Sequence, residues 1–361
     1  MVEVGEEFGM KIYEINDYIN DINYVAGLDF PWGKLSDKSI FISGATGLVG
    51  SCLIDVIMKR NEIGMNCKVY ALGRNESRAR ERFAYCADSN LYEFIQYDIS
   101  RPIVRDDIET VDYVIHLASN THPIQYSTDP IGTITTNIFG TYNMLEFAND
   151  HHASRSMIVS SNEIYGENRG DKEKFDEEYC GYIDSNTMRA GYPESKRCSE
   201  ALCQAYIKQK NMDIVIARPT RSYGPTMLMT DTKAISQFIK KGISKEDIVL
   251  KSAGTQYYSY TYVTDAVSGI LTILLRGKCG NAYNIADESS DIMLKDLAEI
   301  IANHSESKVI FEVPDEIEAA GYSKATKARL DGSKLQSLGW KVKYDIEEGI
   351  ERTLRILSQT V

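Results

Sequence analysis

Tyr192 and Lys196 stand four residues apart in the stretch Tyr-Pro-Glu-Ser-Lys. On a helix that spacing puts both side chains on one face. An ammonium beside a phenol favours the phenolate and lowers a pKa that is ordinarily about 10. A tyrosine so placed can take the proton of a hydroxyl group. A second constellation lies upstream. Gly44, Gly47 and Gly50 recur every third residue between the apolar run Ser-Ile-Phe-Ile-Ser and the helix-like run Ser-Cys-Leu-Ile-Asp-Val-Ile-Met. A strand, a glycine-rich turn and a helix together make an anion site. The glycines let backbone approach a pyrophosphate, and the helix N-terminus presents unpaired N–H groups and partial positive charge. In this context the turn reads as dinucleotide-binding.

The elements that must hold these residues follow from periodicity. After the glycine turn, Lys-Val-Tyr-Ala-Leu-Gly reads as a second strand, and residues 75–87 as a charged helix. Tyr-Glu-Phe-Ile-Gln-Tyr-Asp and Val-Asp-Tyr-Val-Ile-His-Leu-Ala-Ser read as strands, residues 133–151 as a helix, and Arg-Ser-Met-Ile-Val-Ser-Ser as a further strand. Strands alternating with helices imply parallel pairing with right-handed crossovers. Continuous apolar runs such as Tyr-Val-Ile-His-Leu-Ala suit strands covered on both faces. The expected fold is α/β: a Rossmann-type doubly wound parallel sheet with a smaller mixed α/β C-terminal lobe for substrate. Residues 1–37 read as an N-terminal extension and 38–217 as the dinucleotide-binding domain, with a return segment near 259–286. Residues 218–361, richer in turns, read mainly as the substrate lobe.

Composition narrows the partners. The chain has 361 residues, 43% hydrophobic content and a formal net charge of −12. That charge argues against a nucleic-acid partner, which needs a basic face. Seven cysteines form no Cys-x-x-Cys pair and read as reduced thiols of a cytoplasmic protein. The acidic N-terminus does not read as a signal peptide, and no apolar run reaches the ~18 residues needed to span a bilayer. His116 and His122 have no Cys, Asp or Glu at ligand spacing, so no metal is expected.

The glycine spacing resembles that of the extended short-chain dehydrogenase/reductase superfamily, and other stretches match that family in order. His116 to Ser119 resembles the strand-end motif under the cofactor, and Thr136 to Glu146 resembles the Asn-x-x-Gly-Thr helix. Ser160 to Glu167 resembles the catalytic-serine strand end. Arg218 to Pro225 and Tyr258 to Val267 resemble two substrate-lobe signatures. The resemblance covers roughly residues 38 to 355. Within the family it is nearest to nucleotide-sugar epimerases, 4,6-dehydratases and UDP-glucuronate decarboxylases.

The resemblance implies an enzyme that oxidises the C4 hydroxyl of a nucleotide-diphosphate sugar with a tightly bound nicotinamide cofactor. Epimerisation, dehydration or decarboxylation would follow. A one-way dehydrogenase or reductase with exchangeable cofactor, and a non-catalytic dinucleotide-binding sensor, stand as alternatives. Ser161, Glu163, Tyr192 and Lys196 are the implied catalytic residues. The implied cofactor contacts are Gly44, Thr46, Gly47, Leu48, Val49 and Gly50 at the turn, and Arg74, Asp98 and Ile99 after the next two strands. Leu117, Ala118, Ser119, Asn137, Tyr192, Lys196 and Pro219 complete them. Thr121, Asn162, Arg221 and Tyr258 are the implied substrate contacts, and a homodimer is the implied assembly.

Three departures from the family pattern bear on chemistry. Dehydratases carry an aspartate where this chain has Asn162, which cannot donate a carboxylic proton. The strand position usually held by an arginine is Tyr258. Conversely, Arg221 stands where an asparagine is usual, and its forked donors suit a diphosphate or a carboxylate. Tyr257, Tyr258 and Tyr260 could stack on a base or pack the lobe. The third departure concerns cofactor choice. An acid at the end of the second strand would bind the ribose 2′-hydroxyl of NAD, but this chain continues Gly73-Arg74-Asn75, with Arg78 and Arg80 a turn further on. A guanidinium there would hold a 2′-phosphate with ~1.5–3 kcal/mol of charge-assisted hydrogen bonding, or lie over adenine and favour neither cofactor. This tips the expectation slightly toward NADP, against the family habit of NAD in enzymes that recycle a bound cofactor.

Overall fold

The computed structural model describes residues 10–121, 126, 128–312 and 326–360. Its centre is a seven-stranded sheet in the order β10-β6-β5-β4-β1-β2-β3. These strands are β1 (Ser39–Ser43), β2 (Lys68–Gly73), β3 (Tyr92–Gln96), β4 (Tyr113–His116), β5 (Arg155–Val159), β6 (Ile214–Pro219) and β10 (Ala282–Ile285). Every pairing in it is parallel. Ile40, Phe41, Ile42, Val114, Ile115, Val215 and Ala217 are fully buried, because helices cover both faces. Chain order runs outward in both directions from β1. The crossovers therefore diverge between β1 and β4 and leave a crevice at the carboxyl ends of the strands, where open α/β sheets bind ligands.

The helices that frame this crevice are α2 (Leu48–Glu62), α3 (Glu76–Arg82), α4 (Pro130–Asp150) and α5 (Gly191–Lys210). The charged helix expected over 75–87 is shorter than its pattern. It starts at the N-cap Asn75, whose side chain accepts from Arg78 N–H, and ends at Phe83, which is fully buried; a single 3₁₀ turn, Ala84–Cys86, follows.

The remaining strands form the second lobe. β9 (Tyr257–Tyr262) pairs antiparallel with β11 (Asp291–Met293), and parallel with both β7 (Arg221–Tyr223) and β13 (Lys327–Ala328). β8 (Ile248–Leu250) pairs with β12 (Val309–Phe311). Helices α6 (Ala234–Ile243), α8 (Leu294–Ser305) and α9 (Ile346–Leu357) pack together beside them, while α7 (Val263–Arg276) covers the main sheet.

The segment that reads as an extension contains α1 (Asn16–Ala26), and this helix is part of the core. Tyr18, Ile22 and Val25 recur at helical spacing and bury one face against α2 and α7. The same face carries Asp21, which is 0% exposed. Its carboxylate accepts hydrogen bonds from Tyr262 Oη at 2.7 Å and Tyr344 Oη at 2.8 Å, and pairs with the Arg352 guanidinium at 2.7 Å. One turn earlier, Tyr18 and Arg82 both bind Asp55 of α2. The sequence pattern showed α1 but not these partners, which arrive from more than 200 residues away. A buried carboxylate held by three donors ties α1, β9 and α9 together. Asp21→Ala, which leaves Arg352 without its partner, should lower the unfolding free energy by about 3–5 kcal/mol in urea titrations. A loss below about 1 kcal/mol, the range of a solvated pair, would contradict this account.

Candidate active site

The crevice opens into a cleft of about 1430 Å³ that runs from the glycine turn past β4, β5 and α5 to the second lobe. At its head, Gly44 has φ +74°, and a Cβ there would meet the Ala118 backbone nitrogen at 2.8 Å. A Cβ on Gly50 would lie 2.3 Å from the Gly44 carbonyl oxygen. Only glycine allows this turn to fold against β4 and against itself. Gly47 caps α2 without a side-chain hydrogen bond, so the first-turn N–H groups and the positive end of the helix dipole face the cleft. Thr46, Leu48 and Val49 line the same wall.

Arg74, Asn75 and Arg78 line the cleft beyond β2, whereas Arg80 is spent on a surface pair with Glu76 at 2.6 Å. Asp98 lines it beyond β3, with Ile99 beside it. The Asp98 carboxylate accepts from Ser100 N–H at 3.0 Å and Ser100 Oγ–H at 2.8 Å, which hold it below the usual carboxylate range. Leu117, Ala118, Ser119, Thr121 and Pro219 also reach the cleft. Asn137 does not line it. It lies buried behind the wall, where its amide accepts from Ser119 Oγ–H at 2.7 Å and donates to Ser195 Oγ at 2.9 Å. His116 is buried too, with Nδ1 2.7 Å from Ser43 Oγ, and burial pushes its pKa down to about 3, so its ring stays neutral. His122 lies outside the described residues, and among those described no cluster of His, Cys, Asp or Glu could hold a metal.

Ser161, Tyr192 and Lys196 converge on the middle of the cleft. Ser161 lies two residues past β5 and caps a 3₁₀ turn, accepting from Glu163 N–H at 3.2 Å. Tyr192 and Lys196 occupy the first turns of α5 and are both buried. The expected lowering of the phenol pKa is not what the free protein shows. Tyr192 is pushed up to about 12, first by burial and then by the Glu163 carboxylate, against smaller lowering effects of the Ser161 and Ser119 hydroxyls and Arg189. Lys196 gives its Nζ–H to the Val159 carbonyl at 2.9 Å, and burial brings its own pKa down to about 8. The lysine is in place, but desolvation acts on both groups and disfavours both charges.

Glu163 pairs with Arg189 at 2.7 Å. The Arg189 guanidinium lies 4.8 Å from the Tyr126 ring centroid, and Tyr126 stacks on Tyr192 at 4.9 Å. Neither Arg189 nor Tyr126 was singled out from the sequence. Arg189 stands three residues before Tyr192, a spacing that could have drawn attention to it; nothing local marks Tyr126. Lys233, also missed, reaches Thr121 Oγ1 at 3.2 Å and Asp231 at 3.0 Å. Asn162 lines the cleft beside Glu163. Across the cleft the Arg221 guanidinium lies 3.5 Å from the Tyr258 ring centroid, and Tyr260 lines the same wall. Tyr257 instead packs under Arg329 at 4.5 Å. The cleft wall thus gathers cations in a chain whose net charge is −12: Arg74 and Arg78 at one end, Arg189, Lys196 and Arg221 in the middle, and Lys233 beyond.

A parallel sheet with a glycine turn at its switch point defines the Rossmann-type dinucleotide-binding class. Residues 40–286 match the NAD dependent epimerase/dehydratase family, and the chain belongs to that family. It is 30% identical to UDP-glucuronic acid decarboxylase 5 of Arabidopsis thaliana, over 87% of this chain and 88% of that protein. The fold is similar to that of UDP-glucuronic acid 4-epimerase from Bacillus cereus, solved with UDP-glucuronic acid and NAD (TM-score 0.76, 21% identity, 90% of this chain and 100% of that one). It is also similar to dTDP-glucose 4,6-dehydratase from Bacillus anthracis, solved with NAD (TM-score 0.74, 20% identity, 88% and 96%).

The burial of Lys196 has a measurable consequence. Its folded-state pKa of about 8 lies below the ordinary lysine value of 10.5. Between those values the unfolded chain holds a proton that the folded chain has released, so the burial penalty is full below pH 8 and fades by pH 10.5. Lys196→Met removes that titration. Relative to the variant, the wild type should therefore gain up to about 3 kcal/mol of unfolding free energy between pH 8 and 10.5. Parallel pH–stability curves for the two proteins would show that the ammonium is not desolvated.

Proposed function

We propose that this protein is a nucleotide-sugar-modifying enzyme that oxidises the sugar C4 hydroxyl with a tightly bound nicotinamide cofactor and then rearranges the 4-keto sugar. The observation that carries this reading is the convergence of Ser161, Tyr192 and Lys196 on a cation-lined cleft continuous with the glycine turn. The turn residues, Arg74, Asp98, Ile99, the Leu117–Ser119 strand end, Lys196 and Pro219 would hold the cofactor. The close-packed glycines and the uncapped α2 N-terminus suit its pyrophosphate. When bound, the nicotinamide supplies a hydride acceptor for C4 and can return the hydride later.

The chain's own residues handle the proton. As phenolate, Tyr192 Oη would receive the C4 hydroxyl proton, with Ser161 within hydrogen-bonding reach of the same oxygen; burial disfavours that form in the free protein, and the positive charge of Arg189, Lys196 and a bound cofactor would favour it. Arg189 and Lys196 provide positive charge on that side of the site. Thr121, Asn162, Arg221 and Tyr258 would contact the substrate. Once C4 is a ketone, the bonds at C5 weaken. Loss of a C6 hydroxyl needs a carboxylic proton donor, and Asn162 is an amide. Decarboxylation needs no acid to expel its leaving group, because the C5 carboxylate leaves as carbon dioxide, its electron pair enters the 4-keto enolate, and the enolate then takes a proton at C5. The decarboxylase relatives point the same way, so a nucleotide-linked uronic acid is the favoured substrate.

The assembly we propose is a homodimer. Ile131, Phe139 and Tyr142 of α4 are exposed apolar side chains that a second copy would cover, and a monomer in sedimentation equilibrium would refute this. No helix among the described residues is long and apolar enough to cross a membrane. The seven free cysteines support the cytoplasm as its place of work.

Incubation with UDP-, dTDP-, GDP- and CDP-sugars followed by mass spectrometry should show loss of carbon dioxide from a uronic acid. Loss of water or an unchanged mass with inverted C4 would move the enzyme to the dehydratase or epimerase branch. Tyr192→Phe should keep the cofactor but lower turnover by about 10² or more. Glu163→Gln should leave C4 oxidation and slow the second half. Near-wild-type turnover of the Tyr192 variant would sink the assignment. Cofactor choice is a separate measurement. Arg74 and Arg78 line the cleft and no acid closes β2, which favours NADP, while the solved neighbours carry NAD. Denatured protein should release NADP, and Arg74→Ala should weaken NADP about tenfold or more relative to NAD. Release of NAD with an unchanged NADP affinity in the variant would show that Arg74 reads no phosphate.

A further inference from the structure

Arg221 begins β7, and its backbone pairs with Tyr260 of β9. Tyr258 and Tyr260 are two residues apart on β9, so both side chains project to the same face, and both line the cleft. The guanidinium lies 3.5 Å from the Tyr258 ring centroid. Stacking of this kind orients the guanidinium through its face and leaves the N–H edge available. Arg221 Nη1 is buried with no hydrogen-bond partner among the described residues. A charged donor taken out of water without an acceptor is costly, and native proteins rarely keep one for packing alone.

Its position says which molecule would supply the acceptor. Arg221, Tyr258, Glu163 and Arg189 all line the cleft, and the Glu163 and Arg189 charges act on the Tyr258 phenol, so this pair faces the reacting part of the cleft. Arg74 and Arg78 stand apart from it, past the carboxyl end of β2. We infer that Arg221, laid on Tyr258, is the specificity-determining residue that grips an oxyanion of the substrate. The oxyanion is either the diphosphate next to the sugar or a carboxylate on the sugar itself. This rests on the reading of the cleft as a nucleotide-sugar site. Tyr258 acts as a positioning residue, holding the fork flat so that two parallel N–H groups meet two oxygens.

The test is binding, measured by titration calorimetry on the purified protein with its own cofactor. The probes are UDP, UDP-glucose and UDP-glucuronic acid, with the dTDP, GDP and CDP series to allow for another base. Arg221→Gln should weaken at least one ligand class by about tenfold or more, the scale of a lost charge-assisted pair. Equal losses for the nucleoside diphosphate and both its sugars assign Arg221 to the diphosphate. A loss confined to the uronic acid assigns it to the sugar carboxylate. Arg221→Lys, which keeps the charge but not the fork, should bind at intermediate strength. Affinities of Arg221→Gln within twofold of wild type for every probe overturn the inference, as does Arg221→Lys binding no better than Arg221→Gln. If the wild type binds no probe from any series, the nucleotide-sugar reading has itself failed, an outcome distinct from a silent variant.

Discussion

Asn137 holds the chemistry in place without touching the cleft. Its side-chain oxygen accepts from Ser119, at the end of β4, and its amide donates to Ser195, in the middle of the Tyr192–Lys196 turn. Thr141 repeats the contact one turn on, donating to Ser199 at 2.9 Å, and Ser199 returns a hydrogen bond to the Asn137 carbonyl at 3.2 Å. All of these groups except the half-buried Ser119 are buried. In a low dielectric each donor left unmatched costs more than it would in water, so the ladder tolerates one register of α5 on α4 and disfavours the others. That register aims Tyr192 at Ser161 and Ser119. The resemblance implies Asn137 as a cofactor contact; behind the cleft wall its side chain joins the strand end to the helix that flank the site.

The joint holds Tyr192 and Lys196 where burial disfavours the charged form of each. Burial alone disfavours phenolate and ammonium alike, and the Glu163 carboxylate adds to the resistance of Tyr192. The offsetting groups are the Ser161 and Ser119 hydroxyls and the Arg189 guanidinium, itself stacked on Tyr126. A desolvated lysine in a Rossmann core costs stability, as functional groups often do. The same low dielectric makes every positive charge near the phenol more effective, so the site responds strongly to the charge of whatever enters it.

Stability is restored elsewhere by contacts that join distant parts of the chain. Asp21 gathers Tyr262, Tyr344 and Arg352, so the N-terminal helix braces the strand that carries Tyr258. Thr226, just after β7, donates to the Leu48 carbonyl at 2.7 Å. This links the second lobe to the first turn of α2, the end of the helix that faces the cleft. The glycine turn and the second lobe are therefore positioned relative to one another by a direct hydrogen bond as well as by packing.

Local pattern decided much of this. The alternation of apolar strands and amphipathic helices, the glycines spaced by three and the Tyr192–Lys196 spacing of four are properties of neighbouring residues. Backbone geometry turns each of them into structure with little help, so the parallel sheet, the turn and the shared helix face were legible from the chain. The sign of the Tyr192 shift was not. It depends on how much water burial removes and on a carboxylate that comes from another strand end. The Glu163–Arg189 pair, the Tyr126 stack, the Asn137 joint and the Asp21 brace join residues 18 to 331 positions apart. Arg221 was noticed in sequence as an arginine out of its usual place. Only the parallel pairing of β7 with β9 showed where it went, onto the face of Tyr258 with one buried nitrogen left without an acceptor among the described residues. Electrostatics and side-chain contacts depend on distance in space, and only the folded chain sets that distance.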